Sequence, residues 1–129
     1  MRYYLLAAGT GQVERIDWWQ LVAKGYGLCD PQADGALRER PSFAAFAALA
    51  RQLAGTTCQG PLAAPEGVRA VRFTHRREEI VVAWSTAGAL DWAPPPGVSR
   101  VVDRDGRELA LSEAARLSAS PRYLTRLQG

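Results

Sequence analysis

Lysine is nearly missing from this sequence: Lys24 stands alone among sixteen basic residues, and His75 is the only histidine. The arginines are dispersed among thirteen acids, for a net charge of +3. The one adjacent pair, Arg76 and Arg77, runs straight into Glu78 and Glu79. A nucleic-acid surface needs clustered cations interleaved with stacking aromatics, so composition points to no nucleic-acid partner. With one histidine and only two cysteines, Cys29 and Cys58, metal-ligand spacing is missing, and no metal or other cofactor is expected. A disulfide is not expected either. The helix anticipated between the cysteines would hold its ends about 20 Å apart, and a bridge needs Cα atoms within about 7 Å.

Long apolar runs are also lacking. No stretch reaches the eighteen or so uncharged residues of a membrane span, so no membrane partner is expected. The opening "MRYYLLAAGTGQ" offers only Arg2 and a short apolar segment, too little for a signal peptide. Glycines are scattered: Gly9 and Gly11 precede an alternating segment and not a helix N-terminus, so they form no phosphate cradle. What the 129 residues do contain is 47% hydrophobic side chains and four tryptophans. That is enough for a folded core of one-domain size.

Arg2 to Ala8 reads as a helical turn or two, stopped by Gly9 and Gly11. Val13 to Val22 alternates with large apolar groups on both faces towards its end, as a strand buried in a covered parallel sheet does. Residues 23 to 40 read as a long loop. "PSFAAFAALARQLAG" is the clearest helix, Pro41 to Ala54, with proline at its first position, glycine past its end, and apolar residues at spacings of three and four. Beyond Gly55 the period falls to two. "VRAVRFTH" and "IVVAWST" form a hairpin through "RREE", and "SRVVDRDGRELAL" forms a second hairpin on Asp105-Gly106. "WAPPPG" is irregular, because its prolines lack donors. "SPRYLTRL" is a last extended piece. The fold class expected is α+β: a small antiparallel β-sandwich from residue 56 to 129, preceded by a strand-loop-helix unit over residues 1 to 55.

Catalytic chemistry is hard to find. Glycosidic hydrolysis needs two carboxyl groups about 5 Å apart, or somewhat wider, across the bond. Glu78 and Glu79 fall in one hairpin turn, Asp103 and Asp105 in another, and Glu108 and Glu113 on an exposed face; all read as solvated charges. Asp17 points away from Trp18, while Asp30 and Asp34 lie in the following loop, within reach of a sugar hydroxyl but without a partner carboxylate. Of the tryptophans, Trp84 reads as core among Val81, Val82 and Ala83, and Trp92, before three prolines, reads as exposed and as a sugar platform.

The runs "VERIDWWQLVAKGYGLCDP", "RERPSFAAFAALARQLAG", "GVRAVRFTHRREEIVVAWS", "VVDRDG" and "SPRYL", in this order, resemble the C-terminal portion of clan A (β/α)8 glycoside hydrolases. The likeness is to the group of β-xylosidases and exopolysaccharide-associated endoglycosidases. It implies that Arg2 to Ala8 ends helix seven, that Val13 to Val22 is strand eight and Pro41 to Ala54 helix eight, and that the sandwich starts at Gly67. It also implies that Trp18 floors a sugar subsite, with Gln20, Tyr26 and Asp30 around its remnant. The family's two catalytic glutamates lie on strands four and seven, upstream of anything present, so this chain is expected to be inactive alone. The implied partners are carbohydrate, in a parent enzyme of the periplasmic or secreted kind, and the remainder of the barrel. Failing the barrel, strand 13–22 is expected to pair with the sandwich, to pair with a second copy or to remain partly disordered.

Overall fold

The computed structural model describes residues 1–128. Helix α1, Arg2–Gly9, stops where Thr10 folds its hydroxyl back onto the Ala7 carbonyl at 2.7 Å and Gly11 takes a φ of +67°. A hairpin of strands β1, Cys29–Pro31, and β2, Leu37–Glu39, follows. Helix α2 then spans Pro41–Leu53, its proline in the first turn. Proline suits that position because the first-turn N–H has no intrahelical partner to lose. Neither helix, nor any other among the described residues, is long and apolar enough to cross a membrane.

The remaining strands are β3, Thr57–Pro61; β4, Val68–His75; β5, Glu78–Ser85; β6, Leu90–Asp91; β7, Val98–Val102; β8, Glu108–Leu109; β9, Arg116–Leu117; and β10, Arg122–Leu127. A 3-10 turn over Leu111–Ala115 precedes β9. Six strands form one antiparallel sheet in the order β3-β4-β5-β10-β7-β8, and β6 pairs with β9 in a separate ribbon. The last strand is therefore central. Tyr123 stands opposite both Val82 and Val102, and Leu124 opposite Val81 and Val101.

Period-two alternation sorts these side chains into two cores. Val71, Phe73, Ile80, Val82, Trp84, Val102 and Tyr123 face the helices and meet Leu5 of α1 and Leu49 of α2. Val68, Ala70, Val81, Ala83, Val101 and Leu124 face the other way and are covered by Trp92, Ala114 and Leu117. An α+β fold with antiparallel sheets is what the sequence forms. The second layer is a two-stranded ribbon and a 3-10 turn, because the chain between β5 and β10 supplies little more than Leu90–Asp91 and Arg116–Leu117 to pair there. Hydrophobic burial is worth roughly 1.5–3 kcal/mol for each large side chain so covered.

Five expectations from the sequence need correction. Val13–Val22 is not a strand. Only Val22 makes a bridge, parallel to Cys29, and the remainder lacks ladder partners because no second strand reaches either edge; strand hydrogen bonds come from neighbours, not from the segment itself. The long loop contains the β1/β2 hairpin. Trp92 is buried at 8% exposure, since its indole N–H donates to the Ala114 carbonyl at 2.8 Å and its ring fills the ribbon-side core. Glu79 is no solvated turn residue: at 4% exposure it accepts from Arg126 Nε at 2.7 Å and Nη2 at 2.6 Å. The turn itself is shorter than "RREE", with only Arg76 and Arg77 between His75 and Glu78. Both cysteines are free thiols.

Candidate functional site

Trp18 is held by the two helices. Its ring stacks on Tyr4 of α1, centroids 6.4 Å apart and planes 19° from parallel, and meets Phe46 of α2 edge-on at 6.3 Å. Tyr4 and Phe46 are themselves edge-to-face at 5.7 Å. Offset and edge-to-face pairs of this kind satisfy the ring quadrupoles, so the indole is fixed without a strand beneath it. Burial pushes the Tyr4 phenol above its ordinary pKa, and the Asp17 and Tyr3 side chains add to the shift.

Trp18 remains 37% exposed and forms one wall of a cavity of about 420 Å³. Arg2, Leu28, Pro41, Ser42, Arg104 and Ser120 are among the other walls. Arg104 is forked onto Asp105, with Nε 2.9 Å from Oδ1 and Nη2 3.2 Å from Oδ2, so its charge is already partnered. No carboxylate lines this cavity among the described residues. The two carboxyl groups of glycosidic hydrolysis are thus missing from the wall that Trp18 presents. Nor do the described residues contain a group of three or more His, Cys, Asp or Glu able to hold a metal ion.

The other anticipated site residues are dispersed. Gln20 and Tyr26 are exposed; Trp19, which the resemblance reads as packing behind the subsite floor, is instead 79% exposed. Asp30 is buried, and both its carboxylate oxygens are engaged: Oδ1 accepts the Gly25 N–H at 3.0 Å and Oδ2 accepts Arg38 Nη2 at 3.0 Å. The Gly25 N–H, followed by Arg38, holds its pKa below the ordinary carboxylate value. Asp30 therefore pins the turn that carries Tyr26 and has no oxygen turned to a ligand. Close backbone packing tightens the same turn, because a Cβ on Gly27 would lie 2.4 Å from the Ala23 nitrogen. Trp92 is on the opposite side of the six-stranded sheet from Trp18. Of the five residues, only Trp18 reaches the cavity.

Sequence reasoning missed Tyr4, Phe46 and Arg104 as neighbours of Trp18. The helical spacing of Phe43 and Phe46 marks Phe46 as facing something, but its meeting with residue 18 is tertiary and leaves no local signal. No family model matches the chain, and no curated protein or solved structure matches it.

Proposed function

We propose that this chain is the C-terminal segment of a clan A glycoside hydrolase, in which the six-stranded sheet buttresses a (β/α)8 barrel and no catalysis occurs in the segment alone. One observation carries the reading: exposed large apolar side chains are concentrated at one end of the sequence. Tyr3, Leu6, Val13, Trp18, Trp19, Leu21, Val22, Tyr26 and Leu37 are all exposed, whereas after residue 37 only Leu111 and Leu127 are. Exposed apolar side chains in this number suit a surface that another part of a larger fold covers. Upstream barrel strands and helices are the cover this reading supplies, and residues 13 to 22 become a strand once they have neighbours. In the assembled enzyme Trp18 floors the sugar subsite, Gln20 and Tyr26 line it, and Asp30 keeps the Tyr26 turn in place.

A free-standing carbohydrate-binding module is the second reading, and the exposure of Trp19 is the observation in its favour. It has lost the platform expected at Trp92, which is buried. Titration of the chain with oligosaccharides, followed by tryptophan fluorescence, separates the two: the module requires a saturable change and the buttress requires none. The lead reading is tested by the reading frame immediately upstream of the Met1 codon in the source genome. A continuous frame encoding roughly 200 residues or more of alternating strands and helices, with a glutamate at the ends of two of the strands, is the expected result. An in-frame stop codon shortly upstream would overturn it.

A further inference from the structure

No main-chain hydrogen bond among the described residues joins Val13–Gln20 to any other main-chain group. Eight consecutive residues, bent at Glu14 and Trp19 and carrying Val13, Ile16, Trp18 and Trp19 as their strand-favouring members, therefore keep their main-chain donors and acceptors free on an accessible part of the fold. Such a ribbon is a template for pairing with another chain. Ile16 lines a groove with Leu5, Leu49 and Leu53, to which Val13, Glu14 and Arg15 also contribute, and Trp18 rests on Tyr4. The side chains of Arg15 and Asp17 are 82% and 67% exposed, and Trp19 is 79% exposed.

We infer that two copies of the isolated chain associate through this ribbon, antiparallel and centred on Ile16. The charge pattern selects that partner and that register. In an antiparallel pair about Ile16, Arg15 of one copy stands opposite Asp17 of the other, and the two-fold axis repeats the pair; Val13 stands opposite Trp19 in the same way. Residues directly opposite in an antiparallel ladder share a face and are close enough to interact. A two-fold interface must be self-complementary, residue i meeting j and j meeting i, and this sequence satisfies that requirement with opposite charges and with apolar pairs. Within one chain the Arg15 Nε and Asp17 Oδ2 atoms already lie 2.8 Å apart. So exposed a bridge contributes little, and exchanging it for two intermolecular bridges loses little. The inference rests on the unpaired ribbon and not on the barrel reading.

Sedimentation of the full 129-residue chain across roughly micromolar to submillimolar concentrations, the range of weak association, provides the test. The expected result is a monomer–dimer equilibrium. Arg15→Asp and Asp17→Arg should each weaken it by about tenfold or more, since each turns two attractive cross-strand pairs into repulsive ones. An equimolar mixture of the two variants should regain dimer, because the two acidic side chains of the first variant's ribbon then face the two basic side chains of the second's. Both positions are exposed, and unchanged far-ultraviolet circular dichroism is the check that folding survives. A parent chain that stays monomeric throughout overturns self-pairing while leaving the barrel reading untouched. Variants that associate as the parent does, a mixture no tighter than either variant, or open-ended aggregation in place of a dimer would overturn it as well.

Discussion

Glu79 and Arg126 occupy directly opposite positions on β5 and β10, and the Glu79 carboxylate is buried while the guanidinium also reaches the Pro96 carbonyl at 3.2 Å. The pair thus ties the triple-proline loop to the sheet. Arg72, 4.0 Å away, adds a second cation. Replacing Arg126 by alanine strands a buried carboxylate, and the loss should be about 3 kcal/mol in urea unfolding. Adding Glu79→Gln to that variant should recover part of the loss. Asp30 gives a prediction in pH. Its folded pKa lies below its unfolded one because Gly25 and Arg38 favour the charged form. Its stabilisation is therefore complete above the unfolded carboxylate range, about pH 4, and is lost as pH falls through the lower folded value. The Gly25 amide resonance should shift across that acid window, and the shift should vanish in Asp30→Asn. Neither role was visible from the sequence: Glu79 reads as a turn charge because the position of β10 beside β5 is not a local property, and Asp30 reads as a sugar ligand because its partner Arg38 arrives only through the β1/β2 hairpin.

Among the elements, those whose signals are local formed where the sequence placed them. The proline start and three-four spacing of α2, and the alternation of β4 and β5, do not depend on the rest of the chain. The ends differ by a residue or so, with α2 closing at Leu53 rather than Ala54. The hairpin turn carries a feature that alternation does not reveal. Arg76 has a φ of +53° and is the only non-glycine residue with positive φ among those described. A side chain with a Cβ is strained there, and two-residue hairpin loops favour glycine at such a position. Arg76→Gly should raise stability by roughly 0.5–1 kcal/mol, seen as a higher melting temperature in calorimetry; an unchanged or lower value would mean that the arginine side chain contributes more than the backbone strain. Val13–Val22 is the opposite case. Its residues alone read as a strand, but composition supplies at most half of a ladder, and among the described residues of the segment only Val22 finds a bridge, to Cys29.

On the scale of the whole molecule, the two cores are closed and the N-terminal third is not. Every central strand is covered on both faces, yet Trp19, Leu21, Tyr26 and Leu37 stand in solvent. The cavity beside Trp18 has an aromatic wall, and no carboxylate lines it among the described residues. These features cohere if the exposed surface is covered by polypeptide upstream. An immunoblot of source cells with an antibody raised against these 129 residues tests that most directly. A barrel of roughly 200 residues or more ahead of the segment places the band well above 14.0 kDa, as this account predicts. A single band at 14.0 kDa would contradict it.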